Sequence, residues 1–158
     1  MPNDPLDLWP ESIEVDQLTP LAILQMQAAR LKEKTRGLLT AEVRSGVVSS
    51  SFEEHERSPS GSETVHRFEI IAQRLKGYRY QMFTCRHDSV QVYPVWIEGE
   101  DERFVADKDL ASTQDQFVQI VRKVLAATKN VGIVSSLLAR IAEADVPKKP
   151  PTENETAA

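Results

Sequence analysis

Hydrophobic residues recur along this chain with two different periods, and the change between them marks out elements. Between Thr19 and Gly37, Leu21, Leu24, Ala28 and Leu31 fall on one helical face, which Ile23 and Met26 widen. Thr19 suits the N-cap, Pro20 the first helical position and Gly37 the C′ position. Lys32, Lys34 and Arg36 complement the negative end of the helix dipole. From Leu39 the period becomes two, with Leu39, Ala41 and Val43 alternating with Thr40, Glu42 and Arg44 as in a strand. Gly46 predicts a bulge or bend before Val47 and Val48. Residues 53–63 have almost no apolar side chains and predict a mobile hairpin loop.

Further strands follow, and turn chemistry suggests their registers. A two-residue turn at Lys76-Gly77 pairs Leu75 with Tyr78, and thereby Phe68 with Cys85, Ile70 with Phe83 and His66 with His87. A second turn at Asp88-Ser89 pairs Cys85 with Val92, Phe83 with Pro94 and Gln81 with Trp96. Together they gather Phe68, Ile70, Ala72, Phe83, Cys85, Val90, Val92 and Trp96 on one face as a core. The other face then carries Tyr80, Met82, Tyr93, Val95 and Ile97 among polar residues, more apolar area than a solvated face needs. Pro94 predicts an edge or bulge in the fourth strand.

Residues 103–106 suggest a short fifth strand. A helix capped by Ser112 presents Phe117, Ile120, Val121, Val124 and Leu125 on one face. Lys129-Asn130 breaks it before a last helix with Ile133, Val134, Leu137, Leu138 and Ile141. The expected fold is α+β: an N-terminal helix, an antiparallel meander of four to five strands, and two C-terminal helices. Residues 1–17 form an arm, 18–146 a single domain, and 147–158 a disordered tail.

Charge sharpens that division. The chain of 158 residues has 24 acidic and 19 basic side chains, a net charge of −5. Asp4, Asp7, Glu11, Glu14 and Asp16 lie in the arm without a base, so the arm alone accounts for the −5. Leu6, Leu8, Trp9, Ile13 and Val15 are interleaved with these acids as potential anchors on the arm's own domain or on a partner. A hydrophobic share of 41% excludes a wholly disordered chain, and a single cysteine excludes a disulfide scaffold. No apolar run is long enough to span a bilayer, and the N-terminus lacks signal-peptide regions, so a cytoplasmic protein is expected.

Candidate chemistry is sparse. His66, Cys85 and His87 fall on one face of the expected sheet and form the one candidate zinc set, with His55 as a possible fourth ligand. Burial is the ordinary account of such a cysteine, and neither a metal nor another cofactor is expected. A cysteine nucleophile with a histidine base would need an accessible thiol. The hairpin 64–87 has Arg67, Arg74, Arg79 and Arg86, an alternative anion or nucleic-acid surface. Glu42 and Glu69 lie close enough to neutralise it, and the acidic total argues against nucleic acid. The acidic stretch from Glu98 to Asp109 lacks the alternation of a calcium loop. There is no nucleophile elbow, phosphate-binding glycine loop or dinucleotide fingerprint, so no catalytic residue is assigned.

The reading that best fits is a small non-catalytic protein-binding module of adaptor, chaperone-like or immunity type. Its partner would be another protein or a second copy as a homodimer, met through Trp9, Tyr80, Met82, Tyr93, Val95 and Ile97. A small-molecule site between sheet and helices is a further alternative.

Overall fold

A computed structural model describes residues 6–49, 59–99 and 109–146. The chain forms α1 (Pro20–Lys34), β1 (Thr40–Ser49), β2 (Ser62–Ala72), β3 (Tyr78–Asp88), β4 (Val95–Gly99), β5 (Asp109–Ala111), α2 (Gln114–Ala126) and α3 (Thr128–Ala144). The strands form one antiparallel sheet in the order β1-β2-β3-β4-β5, a meander with helices on one face. This is the α+β layout expected from the hydrophobic periods. Residues 53–58 of the expected mobile loop, the proposed strand at 103–106 and the tail 147–158 lie outside the described residues. The fifth strand described is Asp109–Ala111.

Helix boundaries follow local hydrogen bonding. The Thr19 side chain accepts from the Ala22 N–H, and Pro20 opens α1. At the other end the Arg36 and Gly37 amides donate to the Glu33 and Lys32 carbonyls at 3.2 and 2.8 Å. That is a Schellman closure in which Arg36, at φ 53°, occupies the left-handed C′ position expected for Gly37. Thr113, rather than Ser112, caps α2 by accepting from the Gln116 N–H. The break between α2 and α3 comes at Ala127, before the expected Lys129-Asn130. Asn130 lies inside α3, where its side-chain amide donates to the Val124 carbonyl at 2.7 Å. The same carbonyl also accepts from the Ala127 amide at 3.2 Å, so the Asn130 side chain adds a second bond at the end of α2.

The strand registers differ from those suggested by the two turns. Gln73–Leu75 curls into a 3₁₀ turn before Lys76 and Gly77, so the β2–β3 connection spans five residues. Ala72 then faces Tyr78, and Phe68 faces Phe83. Between Phe68 and Glu69 the register shifts, because Glu69 faces Gln81 and Met82 has no partner across the ladder. Gly46, where a bulge was expected, pairs in register with Val65.

The second turn also opens out. The buried Asp88 carboxylate accepts from the Val90 and Gln91 amides at 2.9 and 2.7 Å, winding the chain into a wider loop. β4 consequently begins at Val95, with His87 facing Val95 and Cys85 facing Ile97. This is an odd shift from the expected pairing, so it exchanges the two faces of β4. Val95 and Ile97 point into the core, Trp96 lies on the outer face, and Val90 is exposed.

The core joins Ile23 and Leu24 of α1 to Phe68, Ile70, Phe83, Cys85, Val95 and Ile97 of the sheet. Phe117 and Val121 of α2, with Leu137 and Ile141 of α3, close it. Phe68 and Phe83 stack at its centre with ring centroids 5.1 Å apart. Phe83→Ala is expected to cost about 3–5 kcal/mol, through lost burial and a residual cavity. Val90→Ala, at an exposed loop position, should stay within about 0.5 kcal/mol. Urea unfolding midpoints at unchanged slope measure both.

Candidate functional site

The bulge at Met82 and the shift in β4 relocate most of the proposed binding residues. Tyr80, Met82, Val95 and Ile97 were expected on a second, semi-apolar sheet face. Met82, Val95 and Ile97 are instead buried in the helix-covered core, and Tyr80 packs against that core. The apolar second face therefore does not exist in that form.

The outer face is held by ion pairs. Glu42 and Glu69 sit directly opposite each other on β1 and β2, and one Arg79 nitrogen donates to both carboxylates at 2.9 Å. Hydrogen bonds from Glu42 and Glu69 hold the Arg79 guanidinium above its ordinary pKa. Arg44 approaches Glu69 at 3.6 Å, and Arg86 lies 3.8 Å from Glu63 and 3.7 Å from Glu98. Arg74 pairs with Asp145 beyond the last turn of α3 at 2.6 Å. Of the four arginines proposed as an anion surface, Arg74, Arg79 and Arg86 thus face carboxylates, and Arg67 stands exposed opposite Thr84. Arg67 and Arg86 are not directly opposed; Arg86 faces Val65.

His66, Cys85 and His87 do share one face at the end of the sheet. His66 faces Cys85 in register, and the two imidazoles meet at 2.9 Å between their Nε2 atoms. Their proton positions follow from the ends of the chain of bonds. His87 Nδ1–H donates to the Asp88 carbonyl at 2.8 Å, so its Nε2 is the acceptor for His66 Nε2–H. His66 Nδ1 then accepts from the Ser45 hydroxyl at 2.7 Å. Both rings are engaged at both nitrogens. Among the described residues, no group of three or more His, Cys, Asp or Glu side chains is placed to hold a metal ion. His55 lies outside the described residues. Cys85 is fully buried, and desolvation pushes its thiol up, which keeps it from acting as a thiolate nucleophile.

The two remaining proposed residues, Trp9 and Tyr93, belong to the N-terminal arm and its attachment. Tyr93 meets Phe117 edge to face at 6.5 Å, and its hydroxyl donates to the Leu18 carbonyl at 3.1 Å. The Leu18 amide donates to the Gln114 side chain at 2.8 Å. Leu18 is thereby fastened through both of its backbone polar groups. Beyond it, Leu8, Trp9, Ile13 and Val15 are 91, 76, 73 and 94% exposed. The Trp9 amide bonds locally to the Asp7 carboxylate, and the Ser12 hydroxyl to Glu14.

A crevice between sheet and helices, the place suggested for a small-molecule site, is present beside α1, although the sequence did not indicate its lining residues. One hollow of about 310 Å³ lies between α1 and α2, lined by Ile23, Val121 and Arg122. A second of about 260 Å³ reaches α3, floored by Met82 and walled by Leu31 and Val134. Gln27 and Leu125 line both hollows. Only the bulge that turns Met82 inward reveals the floor, so residue spacing alone could not locate it.

Fold and site define an α+β domain with an attached acidic segment and a helix-lined groove. Neither a protein-family model, a curated protein nor a solved structure matches this chain. Among the described residues no single helix is long and apolar enough to cross a membrane; α2 and α3 meet that test only as a pair bent by 52°.

The histidine pair generates a pH prediction. Burial, reinforced by the neighbouring His87, lowers His66 from 6.5 to about 4. Between those values the unfolded chain binds more protons than the folded one, so acid favours unfolding. The stabilisation is complete above about pH 6.5 and is lost progressively as pH falls to about 4. Allowing for solvent screening, its size is on the order of 1–2 kcal/mol. Denaturant unfolding across this range should show the decline, and His66→Gln, which retains a side-chain N–H donor, should flatten it.

Proposed function

We propose that this protein is a small non-catalytic protein-binding module that docks another polypeptide through its acidic N-terminal arm. The observation that carries the reading is the exposure of Leu8, Trp9, Ile13 and Val15, between 73 and 94%, on a segment anchored to the body at Leu18. Large apolar side chains clustered this densely in solvent mark interaction sites. Tryptophan is also among the residues that dominate interface energies when buried in a partner's pocket. The acids between the anchors keep the arm hydrated when free and favour a cationic receptor. A cytoplasmic setting accords with a lone buried cysteine held as a free thiol.

A photo-crosslinking amino acid placed at Trp9 of the full chain tests this reading in cells. Discrete polypeptide adducts are expected there, suppressed by a competing peptide of residues 6–18 and absent with the same probe at Lys123 on α2. Failure to obtain any arm-specific adduct would remove the docking reading.

A further inference from the structure

We propose that the receptor for the arm is the groove beside α1 of a second copy, giving a homodimer with two reciprocal arm contacts. This inference rests on the docking reading and supplies its partner. Charge is the first argument. The charged residues lining the two hollows are Arg122, Arg30 and Lys34, all cations. Those of the arm from residue 6 onward are Asp7, Glu11, Glu14 and Asp16, all anions. Arg30 has an exposed partner in Glu33 at 3.1 Å, a contact of a kind that contributes little, and Lys34 and Arg122 have no ion-pair partner among the described residues.

Length is the second argument. Ile23 borders one hollow and Leu31 the other, and at about 1.5 Å per helical residue they stand about 12 Å apart. In an extended arm at about 3.3 Å per residue, Trp9 and Ile13 are about 13 Å apart. Two anchors so spaced fit along a continuous groove whose α1 lining runs from Ile23 to Lys34, with Glu11 between them.

The arm's anchors are exposed in the single chain, so its own groove is not where they lie. A segment and a receptor carried on the same chain complement each other across a two-fold axis, where every association forms the contact twice.

Sedimentation velocity on the full chain, over a wide concentration range and at low and high salt, provides the test. A concentration-dependent dimer weakened by salt is expected. Trp9→Ser with Ile13→Ser should weaken it about tenfold or more, and so should Arg30→Glu with Lys34→Glu. Adding Glu11→Lys and Glu14→Lys to the rim-reversed chain should restore it. All of these side chains are exposed, and circular dichroism checks that each variant stays folded. A monomer at every concentration overturns the proposal, including one whose own arm fills the groove. So does a dimer indifferent to both sets of changes, which would use another surface such as the open edge of β1. If the Trp9 adduct contains a different polypeptide and the chain is monomeric, the second-copy inference fails while the docking reading stands. If no adduct forms, both fall.

Discussion

Phe68 faces Phe83 across the β2–β3 ladder, Glu69 faces Gln81, and Met82 between them faces nothing. This one unpaired residue determines which side chains β3 delivers to the helices. A strict two-residue alternation outward from Phe83 would put Met82 and Tyr80 on the solvent side. With the extra residue, Met82 joins Phe83 in the core and Tyr80 packs against it. The arrangement places a flexible thioether where α1, α2 and α3 leave space, and Met82 becomes the floor of the groove. It also carries Arg79 to the outer face beside Glu42 and Glu69. A bulge thus links the packing of one face to the electrostatics of the other.

The outer face illustrates how a sheet tolerates direct like-charge pairs. Glu42 opposite Glu69 would be unfavourable alone, and Glu69 is buried. Arg79 bridges the pair with two short charge-assisted bonds, and Arg44 supplies a second positive charge through a longer contact to Glu69. At the far end of the same face Arg86 lies between Glu63 and Glu98. Strong hydrogen bonds bring a guanidinium and two carboxylates together at an exposed surface while leaving little charge for a distant ligand. At the sheet end two imidazole rings, a hydroxyl and a carbonyl form a chain in which every ring nitrogen has a partner.

Elements whose signals are local were legible in the sequence. The caps at Thr19 and the spacing of Leu21, Leu24, Ala28 and Leu31 reveal α1, and the short connections imply a meander. Registers were not legible, because each depended on a turn that tertiary contacts reshaped. At Asp88 the carboxylate, buried among loop amides and bonded also to Ser60, turned an apparent two-residue hairpin into a wider loop. At Lys76-Gly77 the left-handed residues are present, yet Gln73–Leu75 curled before them. The sharing of a face by Phe68, Ile70, Phe83 and Cys85 survived, since it requires only parity. The assignment of Val95 and Ile97 did not, since an odd shift reverses it. Of the candidate site, the arm was legible from composition, whereas the groove needed three helices and a bulge in place.

Charge placement ties these observations together. The body from residue 18 to 146 carries as many acids as bases, so its neutrality alone suggests no affinity for an acidic segment. Its cations, however, are used unequally. Arg44, Arg74, Arg79 and Arg86 stand against carboxylates on the sheet or at the end of α3. Lys34 and Arg122 border an apolar groove with no carboxylate among its lining residues. An acidic segment approaching Arg79 would have to compete with two ion pairs at 2.9 Å, one of them to buried Glu69. Approaching the groove, it meets cations that need only exchange water. The proposed docking of the arm at the groove accords with the carboxylates that already face Arg44, Arg74, Arg79 and Arg86.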